Sequence, residues 1–70
     1  MKSYEDVWPE NAFDEKTMQA YKRLIDDAVI KLDVIIYGRY TGRFKVKYMA
    51  NESQDEIHAR LKRLRDGRTG

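Results

Sequence analysis

Residues 33–50 read DVIIYGRYTGRFKVKYMA, and this stretch constrains the fold more than any other. Val34, Ile35, Ile36, Tyr37, Tyr40, Phe44, Val46 and Tyr48 are β-branched or aromatic, the types favoured in strands. Phe44-Lys45-Val46-Lys47-Tyr48 alternates apolar and basic residues with period two. Thr41-Gly42 offers a tight turn, weaker than Asn-Gly. A two-residue loop there predicts Tyr40 opposite Arg43, Ile35 opposite Tyr48, Tyr37 opposite Val46 and Arg39 opposite Phe44. One face of that hairpin is nearly all apolar. The other carries Ile36, Gly38 and Tyr40 opposite Lys47, Lys45 and Arg43. A slip of one residue would send each side chain to the wrong face.

A second rhythm competes for the same residues. Met18, Tyr21, Ile25, Ala28 and Leu32 recur at spacings of three and four, which marks one face of a helix. Ile35 continues it, and Gly38 would stop it. A helix over 14–37 would run about 36 Å at about 1.5 Å per residue. A compact chain of this length has a radius of gyration of only about 11 Å, so such a helix would protrude unless a second chain covered it. The favoured architecture is therefore α+β. It is a helix–β-hairpin–helix (αββα) arrangement with both helices on one face of a two-stranded antiparallel sheet. The alternative is mainly α, with long helix 1 in a helical dimer whose seam is the Met18-to-Ile35 rhythm.

One small domain, 1–70, is expected. It divides into an N-terminal arm (1–13), helix 1 (14–32), the hairpin (33–49), helix 2 (53–66) and a frayed tail (67–70). Asn11 or Asp14 caps helix 1. Lys22 with Asp26, Arg23 with Asp27, and Asp27 with Lys31 are spaced to pair on its surface. Ser53 and Glu56 fit a capping box, Ile57, Leu61 and Leu64 form the apolar stripe of helix 2, and Gly67 ends it. In the arm, Trp8-Pro9 favours extended or turned backbone. The order of elements is broadly similar to that of small head–tail joining proteins of tailed phages, a likeness of order with no family motif behind it.

The absence of cysteine excludes disulfides and thiolate metal sites, and the single His58 cannot form a multi-histidine zinc site. A core this small supplies about 3–5 kcal/mol, so packing, self-association or a partner must supply the remainder. No apolar run approaches the roughly 20 residues of a membrane span. The N-terminus lacks the pattern of a signal peptide, and the expected location is the cytoplasm. YGRYTG lacks phosphate-loop spacing. Asp26 and Asp27, adjacent on a helix, diverge by about 100°. His58 reads as a surface histidine. No catalytic, metal or cofactor residue is expected, and the chain reads as non-enzymatic.

The net charge is +2, unevenly spread. Residues 1–42 carry six Lys/Arg and eight Asp/Glu, a balance of −2, and residues 43–70 carry eight and four, a balance of +4. The leading expectation is a small protein-binding module, an adaptor, inhibitor or assembly subunit of the kind found in phage or mobile-element genomes. Its partner would be a larger protein, met by Trp8, Tyr40, Arg43 and Lys45. Trp8 either closes the core or anchors the partner. The alternative is nucleic-acid binding through Arg39, Tyr40, Arg43, Lys45 and Lys47 on the hairpin and Arg60, Lys62, Arg63 and Arg65 on helix 2. The plainer reading of the lysine row is protection of a sheet edge. A homodimer is compatible with either function.

Overall fold

Asp14, Ser53 and the alternating strand residues do set the local structure, but the sheet they build is larger than the hairpin alone. The computed structural model describes residues 1–67. Five elements follow in order: β1 (Lys2–Pro9), α1 (Glu15–Asp26), β2 (Ile30–Gly38), β3 (Arg43–Ala50) and α2 (Gln54–Arg65). The strands form one antiparallel sheet in the order β1-β3-β2. Both outer strands run antiparallel to β3, so β1-α1-β2 is a split βαβ unit with β3 between its strands. The fold is α+β. The sheet has three strands where two were expected, and β-α-β-β-α replaces αββα. The likeness in order to head–tail joining proteins lapses with that change. The long-helix alternative is also overturned, since residues 33–37 lie in β2.

The expected N-terminal arm is β1. Tyr4, Asp6 and Trp8 face the helices, opposite Tyr48, Val46 and Phe44, while Ser3, Glu5 and Val7 face away. Helix α1 is capped by Asp14, whose carboxylate accepts from the Thr17 backbone N–H at 3.0 Å. It ends at Asp26 rather than at residue 32. The stop is a Schellman motif: Val29 N–H donates to the Leu24 carbonyl at 2.9 Å, and Ala28 N–H to the Ile25 carbonyl at 3.0 Å. Ala28 takes φ of 58°, the left-handed region that glycine occupies without strain. Relief of that strain, less the extra chain entropy of glycine, predicts that Ala28→Gly stabilises the fold by about 0.5–1 kcal/mol. A urea midpoint at or below the wild-type value would show that the cap is not strained.

The hairpin turns through residues 39–42, with Gly38 opposite Arg43. Gly42 sits at φ of 64° and its N–H donates to the Gly38 carbonyl at 2.8 Å. Tyr37 therefore faces Phe44 and Ile35 faces Val46, and Arg39 lies in the loop rather than opposite Phe44. The shift from the expected register is two residues, which preserves the sorting of faces. Ile35, Tyr37, Phe44, Val46 and Tyr48 share the inner face, and Ile36, Lys45 and Lys47 the outer one. A bulge at Asp33 interrupts the pairing between Leu32 and Val34.

The core lies between the inner face and the helices. Ala20, Tyr21 and Leu24 of α1 and Ile57 and Leu61 of α2 close over Ile30, Val46, Tyr48 and Ala50. Ser53 caps α2 by accepting from the Glu56 backbone N–H at 3.3 Å. Gly67, at φ of 70°, follows its end. The rest of the expected tail, residues 68–70, lies outside the described residues. Of the three surface pairs expected on helix 1, only Arg23–Asp27 is formed among the described residues, at 3.0 Å. No described helix is long and apolar enough to cross a membrane.

Candidate functional site

The inward alternation of β1 places a carboxylate, Asp6, between Tyr4 and Trp8 and leaves it only 4% exposed. A buried carboxylate is costly unless donors surround it. Four converge here from the other elements. The Tyr21 hydroxyl of α1 donates to Oδ2 at 2.6 Å. Oδ1 meets the Tyr48 hydroxyl of β3 at 3.1 Å, Gln54 Nε2 of α2 at 2.9 Å and His58 Nε2 at 2.7 Å. Trp8 Nε1–H donates to the Tyr21 hydroxyl at 2.8 Å, which lengthens the network by one link. Burial pushes the Tyr21 and Tyr48 hydroxyls well above the ordinary tyrosine range, and the charge of Asp6 and its hydrogen bonds push them further. One carboxylate thus ties β1 to α1, β3 and α2.

His58 is the outlet of this network. Its side chain is half exposed, and Asp6 holds Nε2, leaving Nδ1 as the other ring nitrogen. The imidazole opens on a groove of about 430 Å³ between β1 and α2. Val7, Trp8 and Leu61 give the groove its apolar surface, and Lys62 and Arg65 line it beside His58, with Asp66 following. The Arg65 guanidinium stacks over the Trp8 ring at 5.0 Å, and its buried Nε has no hydrogen-bond partner among the described residues. Neither Lys62 nor Arg65 has a carboxylate at ion-pair distance among the described residues. Lys62 and Asp66, four positions apart, form no ion pair. Arg60 is engaged with Glu52 at 2.8 and 3.0 Å rather than with Glu56.

A carboxylate that orients an imidazole is a fragment of acid–base machinery. The groove lining, however, contains no Ser, Thr or Cys to act as a nucleophile. Among the described residues no three His, Cys, Asp or Glu side chains gather as a metal site. The groove sets an aromatic and aliphatic surface, Trp8 and Leu61, beside the side chains of Lys62 and Arg65.

No family model matches the chain, nor does any curated protein or solved structure.

The expected contact residues do not form one surface. Trp8 lies on the inner face of β1, hydrogen-bonded and packed against the core. Tyr40 and Arg39 sit in the hairpin loop, Tyr40 at 98% exposure. Arg43, Lys45 and Lys47 form a row on the outer face of β3, which no helix covers, and Lys45 lies 3.8 Å from Glu5 Oε1. Arg60, Lys62, Arg63 and Arg65 belong to α2 on the opposite side of the sheet. Because β3 is the central strand, its lysines do not guard a sheet edge. His58 is exposed at the surface as expected, and Asp6 holds its Nε2. The residues that sequence reasoning missed are Asp6, Tyr21, Tyr48 and Gln54. The available signal was the period-two set Tyr4, Asp6, Trp8, in which the middle member is an acid where a strand facing a core carries an apolar residue.

Proposed function

We propose that the chain is a small non-enzymatic protein-binding module that seats an extended segment of a larger protein in the groove between β1 and α2. The observation that supports this reading is the conjunction of an edge strand with an apolar, basic-rimmed groove beside it. β1 has a neighbour on one side only. An extended segment can add along the other side through main-chain hydrogen bonds, while a side chain seated against Trp8 and Leu61 supplies selectivity. Lys62 and Arg65 favour acidic residues flanking that side chain. An adaptor, inhibitor or assembly subunit would use such a site.

Trp8 is the only tryptophan, so its emission reports on the groove directly. Short peptides with one apolar residue flanked by acids are expected to change that emission saturably and to shift amide resonances in β1 and α2. Arg65→Glu is expected to weaken binding about tenfold, equivalent to about 1.4 kcal/mol. Equal binding of lysine-substituted peptides would defeat the reading. The row Arg43, Lys45 and Lys47 on the uncovered face favours nucleic acid as a second reading. The same titration with DNA or RNA would then shift resonances on the outer face. Its affinity would fall with salt, with a logarithmic slope of about −0.9 for each duplex phosphate neutralised.

A further inference from the structure

We propose that β2 is the self-association surface of this protein, where a second copy adds antiparallel about a two-fold axis at Ile36. The groove lies along β1, at the other edge of the sheet, so this surface is independent of it. β2 is an edge strand, and Leu32, Val34, Ile35, Ile36 and Tyr37 are each between 37% and 48% exposed, on both faces of the sheet. Natural edge strands are blunted by charges, proline or bulges. β1 carries Lys2, Glu5, Asp6 and Pro9, whereas residues 34–38 carry no charge and no proline. Beside the inner face of β2, Met18 and Ile25 of α1 are also exposed and line a shallow apolar depression with Leu32 and Ile35.

The charges flanking this run select a second copy as the occupant and fix its register. With Ile36 opposite Ile36 of the other copy, Tyr37 faces Ile35, Gly38 faces Val34 and Arg39 faces Asp33. Neither Asp33 nor Arg39 has an ion-pair partner within the chain among the described residues. The two-fold therefore creates two Arg39–Asp33 pairs and aligns apolar residues with apolar residues between them. Centring on Ile35 instead would set Arg39 opposite Lys31, a repulsive pair. The bulge at Asp33 confines regular pairing to residues 34–38. Both copies then present their helices on the same side of a six-stranded sheet, with the Met18 and Ile25 surfaces of the two α1 helices brought toward each other.

Sedimentation equilibrium across a concentration series tests this. The wild type is expected to dimerise, and Ile36→Lys to remain monomeric with an unchanged far-ultraviolet spectrum. Arg39→Asp and Asp33→Arg should each weaken the dimer about tenfold, and the double reversal should return to within about threefold of wild type. Amide exchange at residues 34–38 of the wild type should slow as concentration rises, a readout that needs no variant. A chain monomeric at all concentrations leaves β2 for a different polypeptide and overturns the proposal. A dimer that survives Ile36→Lys, or that the double reversal fails to restore, overturns it as well. Loss of acidic-peptide binding at Trp8 would bear only on the groove.

Discussion

Asp6→Ala is expected to cost about 3–5 kcal/mol, because it strands two buried tyrosine hydroxyls at about 1–3 kcal/mol each and leaves a void beside them. Tyr21 and Tyr48 are only 2% and 1% exposed and cannot turn to water, whereas Gln54 and His58 can. A chain of this size has a total stability of about 3–10 kcal/mol. The variant should therefore lose a large share of its stability, melting at least about 12 °C below wild type at about 4–8 °C per kcal/mol. Tyr48→Phe keeps the ring and leaves Asp6 its other three donors, so its expected cost is smaller, about 1–2 kcal/mol. Asp6→Leu combined with Tyr21→Phe and Tyr48→Phe removes the polar demand along with the carboxylate. Its cost is expected to be well below the sum of the single changes. An Asp6→Ala protein that melts within a few degrees of wild type would show that water replaces the carboxylate and that the network is not a structural hub.

The same network explains what the sequence does and does not disclose. Helix starts are local, so Asp14 and Ser53 are legible as caps: each accepts from a backbone N–H three residues on. The hairpin is legible because alternation is local too, and the two-residue error in register left each side chain on its proper face. The end of α1 is not legible. Ala28 does the work of a glycine there, and its place in the three-four rhythm made it look like one more core position. Size alone does not exclude a long helix. The domain spans 37 Å along its longest axis, about the length that helix would have had. What separates the two is the pairing of β2 with β3. β1 is hidden for another reason. Asp6 breaks its apolar alternation, and the residues that make an inward acid tolerable lie 15 to 52 positions away in sequence. The groove depends on the same distant meeting of β1 with α2. It gathers Trp8, Lys62 and Arg65 from the expected contact residues and leaves Tyr40, Arg43 and Lys45 elsewhere.

The buried tyrosines also predict an alkaline limit to stability. Burial first, and then the neighbouring carboxylate, hold the hydroxyls of Tyr21 and Tyr48 protonated far above their ordinary range. In the unfolded chain both would ionise near a pH of about 10. Below that value folded and unfolded chains hold the same two protons, and the stabilisation is fully present. Above it the unfolded chain releases them and the folded chain does not, so stability falls as pH rises. Each tyrosine contributes about 1.4 kcal/mol per pH unit, so the pair gives a slope of about 2.7 kcal/mol per unit. Two units above the onset, about 5 kcal/mol is lost, comparable with the whole stability of the domain. Urea unfolding at a series of alkaline pH values measures the slope, and tyrosinate absorbance shows when the two protons leave. The expected outcome is that these two of the five tyrosines ionise only as the chain unfolds. Tyr21→Phe, although less stable at neutral pH, should halve the slope. Ionisation of all five tyrosines near the ordinary range with the fold intact would mean that the Asp6 network is open to solvent. The groove that depends on it would then lack a fixed wall.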